Sequence, residues 1–190
     1  DERLVLCVAR IEGIKNQINL IRAVNDTRFT LILIGSPAPN QQAYYRECRR
    51  MAASNIRFVD HMPQEELQDY YQRAKVHVLP SWFEACGLSS LEAAAMGCNI
   101  VVSPHGYTRD YYAGYAHYCD PGSPVSIYNA IDSAANAGSP KALREKILRE
   151  YTWPKAAARI AKAYHQIIKP HEHPGRNNGI AGYSQSLRRV

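Results

Sequence analysis

Continuous apolar runs alternate along this chain with stretches of helical spacing, and that alternation leaves few folds open. Leu4-Val5-Leu6-Cys7-Val8-Ala9 and Phe29-Thr30-Leu31-Ile32-Leu33-Ile34 are unbroken and carry β-branched residues. A strand with one wet face would alternate apolar and polar residues, so unbroken runs suit strands covered on both faces of a parallel sheet. Between them, Asn16 to Val24 sets Ile18, Leu20, Ile21 and Val24 at roughly helical spacing, with Asn16 placed to cap the helix. The pattern then repeats. Helices are expected over 41–53, over 63–72 behind Pro63, and over 88–96 ahead of Gly97. Strands are expected over 56–59, over 76–80 where Pro80 stops the run, and over 100–103. Repeated β-α units imply a parallel sheet with helices on both faces and right-handed crossovers. The expected fold class is α/β, a doubly wound, Rossmann-like parallel sheet.

Past residue 103 the apolar runs shorten, and helices over 125–137, 140–150 and 153–168 are expected to pack around the sheet edge. Residues 1–168 are thus expected to form one domain. Residues 169–190, rich in Gly, Asn, Ser and His, read as a tail that is disordered or loosely wrapped. A chain of 190 residues suffices for one well-buried core, and 46% hydrophobic with 21% charged residues excludes disordered, coiled-coil and collagen-like classes.

No run of about 18 apolar residues occurs to suggest a membrane span, and the start lacks the pattern of a signal peptide. Five cysteines without a CxxC pair resemble neither a disulfide framework nor a zinc site, which favours a reducing, cytoplasmic setting. The net charge of +6 comes from dispersed residues rather than a block. An anionic ligand or an ordinary basic surface explains it, and no nucleic-acid partner is expected.

Ligands of an open parallel sheet bind beyond the carboxyl ends of its strands, so the residues after each apolar run are the candidates. After the first strand come Arg10 and Lys15 on a glycine-containing loop. A guanidinium fork and an ammonium there can clamp a diphosphate, or can simply be solvated. After the second comes Gly35, which lets a backbone approach a ligand or merely turns. The most informative segment is Pro80-Ser81-Trp82-Phe83-Glu84-Ala85-Cys86-Gly87-Leu88-Ser89-Ser90-Leu91-Glu92-Ala93-Ala94-Ala95-Met96-Gly97. A loop carboxylate, a glycine opening a helix and a second carboxylate one turn in follow one another. Amides of Gly87, Leu88 and Ser89 at the helix start can donate to phosphate. Carboxylates suit neighbouring sugar hydroxyls because they offer several acceptor sites, although Glu92 alone could be an ordinary surface acid.

That segment resembles the signature of the retaining GT-B glycosyltransferases of family 4: two glutamates separated by seven residues, here Glu84 and Glu92, with a Gly-Leu pair, here Gly87-Leu88, between them. Arg10 and Lys15 fall where that family has its diphosphate-binding pair. Ile56-Arg57-Phe58-Val59 resembles the strand before its base-binding loop, and Gly106 to Asp110 a later loop that usually ends in Glu. The resemblance runs from residue 4 to about 168. It implies the donor-binding, C-terminal domain of a glycosyltransferase of the kind used in polysaccharide biosynthesis. The donor would be a UDP- or GDP-sugar and the acceptor a hydroxyl, with retention of configuration.

The resemblance assigns Arg10 and Lys15 to the diphosphate and Glu92 to the ribose. Glu84, with the amides of Cys86 and Gly87, would hold the sugar, and Asp60, His61 and Met62 would sit beside the base. Arg10, Lys15 and Glu84 are then the residues expected to carry the chemistry. Where the family commonly has Gly, this chain has Ala9 and Asp60, and Ala85-Cys86 stands for a frequent Gly-Phe. The last departure touches the sugar pocket and leaves the donor sugar open.

The resemblance also implies an N-terminal acceptor domain. The chain opens on the first strand of the second domain, so that partner is expected to lie outside it. The acceptor glycan or lipid-linked sugar would be met there, and peripheral membrane association of the parent protein is compatible with it. No Asp-x-Asp pair for a bridging metal occurs, so neither a metal nor another cofactor is expected. Competing readings are weaker. A nucleotide-sugar-binding regulatory module would keep the pocket without catalysis. An NAD enzyme would want Gly-x-Gly-x-x-Gly where Ala9-Arg10-Ile11-Glu12-Gly13 stands. Cys86 lacks a neighbouring histidine to make it a nucleophile, and His61 and His77 fall in a base loop and a strand.

Overall fold

A computed structural model describes residues 1–168, and the tail expected over 169–190 lies outside the described residues. The elements alternate as the apolar pattern predicts: β1 (Leu4–Val8), α1 (Gln17–Val24), β2 (Thr30–Ile34), α2 (Gln42–Met51), β3 (Ile56–Val59), α3 (Gln64–Arg73), β4 (Val76–Leu79), α4 (Leu88–Ala95) and β5 (Asn99–Val102). Then come α5 (Thr108–Tyr112), β6 (His117–Tyr118), α6 (Pro124–Asn136), α7 (Lys141–Glu150) and α8 (Trp153–Ile168). One sheet with the order β3-β2-β1-β4-β5-β6 holds all six strands, every pair parallel. The order reverses between β1 and β4, so the loops leaving these strands diverge and open a crevice at the carboxyl edge.

Burial explains why the runs are unbroken. Every residue of β4 and β5 is buried, as are Leu4 to Cys7 of β1. Each such aliphatic side chain contributes about 1.5–3 kcal/mol when taken out of water. Helix α1 packs against α2 and α6, and α4 against α3 and α7, giving the two layers that right-handed crossovers require. The later helices do not all sit at the sheet edge. Helix α6 lies over β4, β5 and β6 and against α1, because Ile127, Ala130, Ile131, Ala134 and Ala135 form an apolar stripe that needs a sheet face. Its start is fixed by Ser123, whose hydroxyl accepts from the Ser126 N–H at 3.2 Å, and by Pro124 in the first turn.

Asn16 precedes α1 but does not cap it. Its backbone is left-handed at φ 60°, which turns its side chain away from the free N–H groups of the helix. The buried amide instead donates to the carbonyls of Pro80 (3.0 Å) and Pro121 (2.8 Å), tying together the loops that leave β1, β4 and β6. The chain divides into two compact units, the first ending at Thr152 and the second opening at Trp153. Helix α8 belongs to the second unit and buries no residue. No described helix is long and apolar enough to cross a membrane.

Candidate functional site

The crevice holds a cavity of about 1000 Å³, walled by the loops that follow β1, β2, β3 and β4 and by the start of α4. The loops behind β1 and β2 are laced together: Ala9 N donates to Ile34 O and Ile11 N to Ser36 O, both at 3.0 Å. Gly35 makes this possible. A Cβ there would fall 2.1 Å from the Ala9 carbonyl oxygen, at φ +142°, so only glycine allows the two loops to touch.

The loop behind β1 is also tied to the loop behind β4, where Trp82 N donates to Ile14 O at 2.9 Å. That contact sets Lys15 against Glu84, and the two form an ion pair with Nζ 2.7 Å from Oε2. Both side chains are largely buried, at 19% and 11% exposure. A pair taken so far out of water adds little net stability, since desolvation offsets the attraction. What it does is orient. Lys15 keeps two further N–H donors, and Glu84 keeps Oε1, for whatever enters the cavity. Arg10 differs: its side chain is 71% exposed at the rim and meets Glu12 at 3.0 Å. Its carbonyl is held from below by the Gln17 amide at 2.9 Å.

Helix α4 begins behind Gly87, whose carbonyl accepts from Ser90 N and Leu91 N. Among the described residues, no hydrogen bond engages the N–H groups of Leu88 and Ser89, which line the cavity and leave donors of the kind that suit an anion. One turn further in, Glu92 accepts from the buried Tyr71 hydroxyl at 3.0 Å. Burial, and then the Glu92 charge, push that phenol well above its ordinary range, so it stays a donor. The Tyr71 bond fixes one carboxylate oxygen of Glu92 and leaves the other available.

The structure therefore brings together Arg10, Lys15, Gly35, Glu84 and Glu92, with His61 and Met62 behind β3 and the run Cys86-Gly87-Leu88-Ser89 completing the wall. Asp60 is the exception. It is exposed and does not line the cavity, because it lies one position before the residues that turn inward. His77 is fully buried inside β4, and burial alone lowers its pKa to about 3. It faces the helix layer rather than the cavity. Burial also pushes the thiols of Cys7, Cys98 and Cys119 up to about 12, so each stays protonated. Sequence reasoning missed Tyr71 and the wall residues Gln64 and Leu67 of α3. The spacing of Leu67 and Tyr71, one helical turn apart, was a legible signal of an inward face. Among the described residues, no group of three or more His, Cys, Asp or Glu side chains is arranged to hold a metal.

The fold has counterparts among known proteins. Residues 1–152 match the family described as "Glycosyl transferases group 1". A D-inositol 3-phosphate glycosyltransferase of Kribbella flavida is 30% identical over 180 residues, covering 86% of this chain and 41% of the relative. The glycogen synthase of Mycobacterium tuberculosis is 27% identical over 172 residues, covering 84% and 42%. Among solved structures, a sucrose-phosphate synthase from Thermosynechococcus elongatus superposes with a TM-score of 0.76 at 27% identity, covering 88% of this chain and 46% of that one. Anabaena HepE in complex with UDP-glucose shares the fold, with a TM-score of 0.78 at 17% identity and coverage of 86% and 49%. In each case this chain spans less than half of the protein it matches.

Proposed function

The chain belongs to the group 1 glycosyl transferases, and on that premise we infer that it is the donor-binding part of an enzyme that moves a sugar from a nucleoside diphosphate sugar to an acceptor hydroxyl. One observation carries the reading: Arg10, Lys15, the unengaged amides of α4 and the carboxylates Glu84 and Glu92 converge on one cavity. Cations and amides suit a diphosphate, and each carboxylate suits a pair of hydroxyls. The UDP-glucose held by HepE, which has the same fold, supports a UDP-sugar as the donor.

In the proposed reaction the bond between the anomeric carbon and the diphosphate oxygen breaks while the acceptor oxygen bonds to that carbon on the same face, and the acceptor's hydroxyl proton passes to the departing diphosphate. Negative charge grows on the leaving diphosphate. Arg10, Lys15 and the Leu88 and Ser89 N–H groups then bind the transition state more tightly than the ground state. Glu84 holds the sugar and Glu92 the ribose, with His61 and Met62 beside the base. The cationic clamp carries the leaving-group charge, so the reading needs no bridging metal. The acceptor is met by the part of the parent protein that lies beyond this chain.

Calorimetric titration with UDP, GDP and ADP, and then with their sugars, tests the assignment. Arg10→Gln and Lys15→Gln should each weaken binding of every diphosphate alike; an effect confined to one base would show that the clamp is misassigned. Glu92→Ala should cost roughly 1.5–3 kcal/mol of affinity for ribose-containing ligands, the range for hydrogen bonds to a charged group. An unchanged affinity there would remove the ribose role.

A further inference from the structure

Glu84 has two oxygens, and the fold treats them differently. Oε2 accepts from Lys15 Nζ at 2.7 Å and from the Ser81 hydroxyl at 3.2 Å, whereas no described residue gives Oε1 a hydrogen bond. Ser81 is wholly buried and belongs to a short ladder of buried hydroxyl groups. Thr108 Oγ1 donates to the Ser103 carbonyl at 2.6 Å, and Ser103 Oγ donates to the Ser81 carbonyl at 2.6 Å. The ladder runs from the start of α5, across the end of β5, to the loop behind β4. Buried hydroxyl groups persist where they are bonded, and these three rungs all converge on the segment that carries Glu84.

The backbone of Glu84 is clamped as well. Tyr107 N donates to Glu84 O at 3.0 Å, and Glu84 N to His105 O at 3.3 Å. A long carboxylate side chain would still turn about its own bonds with only its backbone held. Lys15 alone would not prevent this, because an ammonium is a point charge that accepts approach from many directions. The Ser81 hydroxyl adds a second, directed contact to the same oxygen.

We propose that Ser81 is a positioning residue: it locks Oε2 of Glu84 into the wall, so that Oε1 is the oxygen presented to the sugar of the donor. The proposal rests on the donor reading above and goes beyond it by separating sugar recognition from diphosphate recognition within one pocket. Lys15 serves both groups, while Ser81 serves Glu84 alone. Loss of the Ser81 hydroxyl should therefore weaken a ligand that carries the sugar and spare one that ends at the diphosphate.

The test is calorimetry of the chain and its Ser81→Ala variant with UDP and with UDP-glucose. The change removes one oxygen and leaves the Ser81 carbonyl free to accept from Ser103, so the two rungs from Thr108 through Ser103 to Ser81, and the fold, are kept. The expected result is roughly two- to tenfold weaker binding of UDP-glucose, which must then order a carboxylate that Ser81 no longer holds, with UDP unchanged. Equal losses for both ligands, or no loss for either, would overturn the positioning role. The donor reading fails differently, through a wild-type chain that binds neither ligand. A crystal structure of the ligand-free variant then decides the proposal independently. Glu84 in a second or altered rotamer supports it, and a single unchanged rotamer overturns it.

Discussion

Gly106→Ala should lower the stability of the chain by roughly 3–4 kcal/mol and displace Glu84. At Gly106, φ is +87°, and a Cβ would lie 2.2 Å from the Glu84 carbonyl oxygen, with the Glu84 carbonyl carbon and nitrogen at 2.9 and 3.0 Å. All three are backbone atoms and cannot swing aside as a side chain would. Relief requires the loop over 105–107 to part from Glu84, which breaks the Tyr107 N–H to Glu84 O and Glu84 N–H to His105 O bonds. Two hydrogen bonds at about 1 kcal/mol each, and about 1–2 kcal/mol for a side chain held at positive φ, give the stated range. Urea unfolding should show a lower midpoint at an unchanged slope. Gly114→Ala, where the added carbon meets nothing within 4 Å, is the control and should move the midpoint little. A Gly106 variant that unfolds with the wild type would show that the bridge between Glu84 and Gly106 carries no strain and does not hold the site.

That bridge also shows where sequence reading succeeds and where it stops. Strands β1, β4 and β5 were legible as runs buried almost throughout, and β2 and the edge strand β3 as shorter, partly exposed runs. The wall behind β1 and β4 was legible because ligands of an open parallel sheet bind beyond the carboxyl ends of its strands, whereas the strand order that opens the crevice was not. Strand β6 was not legible. His117 and Tyr118 form no apolar run and count as a strand only because they pair with Val101 and Val102 of β5. Asn16 was legible as a residue that precedes a helix, but not as a tie between three loops, since its partners Pro80 and Pro121 lie 64 and 105 positions away.

The same limit applies within the site. Sequence placed Lys15 and Glu84 in separate roles, one for the diphosphate and one for the sugar, because nothing local links residues 69 positions apart. Their ion pair makes the two roles share a group. Tyr71 and Ser81 were missed for a related reason: each acts through a carboxylate that it orients, and the family resemblance speaks only for the carboxylates. Asp60 was included by adjacency to His61 and Met62, and the turn of the loop behind β3 leaves it outside the cavity.

Acid should destabilise this fold through one residue more than any other titrating near neutrality. His77 sits in the middle of the central strand β4, beside Leu6 of β1 and Ile100 of β5, and is completely buried. Its Nδ1 is 3.3 Å from Ser90 Oγ, its ring centroid is 6.0 Å from that of Tyr71, and Nε2 has no hydrogen-bond partner among the described residues. A hydroxyl and an aromatic ring do not offset an imidazolium charge, so burial lowers the pKa from 6.5 to about 3. The folded state therefore refuses a proton that the unfolded chain accepts. Because the folded pKa is the lower one, the stability tied to neutral His77 is complete above pH 6.5 and is lost as the pH falls toward 3. The loss amounts to something of the order of 4 kcal/mol across that window. His77→Leu keeps the volume approximately and removes the titration. Urea midpoints measured from pH 7 to 4 should fall more steeply for the wild type than for the variant, by the slope of one proton, while carboxylates common to both chains cancel in the difference. Parallel pH profiles would mean that His77 gains a proton without cost, which the sealed environment of β4 does not allow.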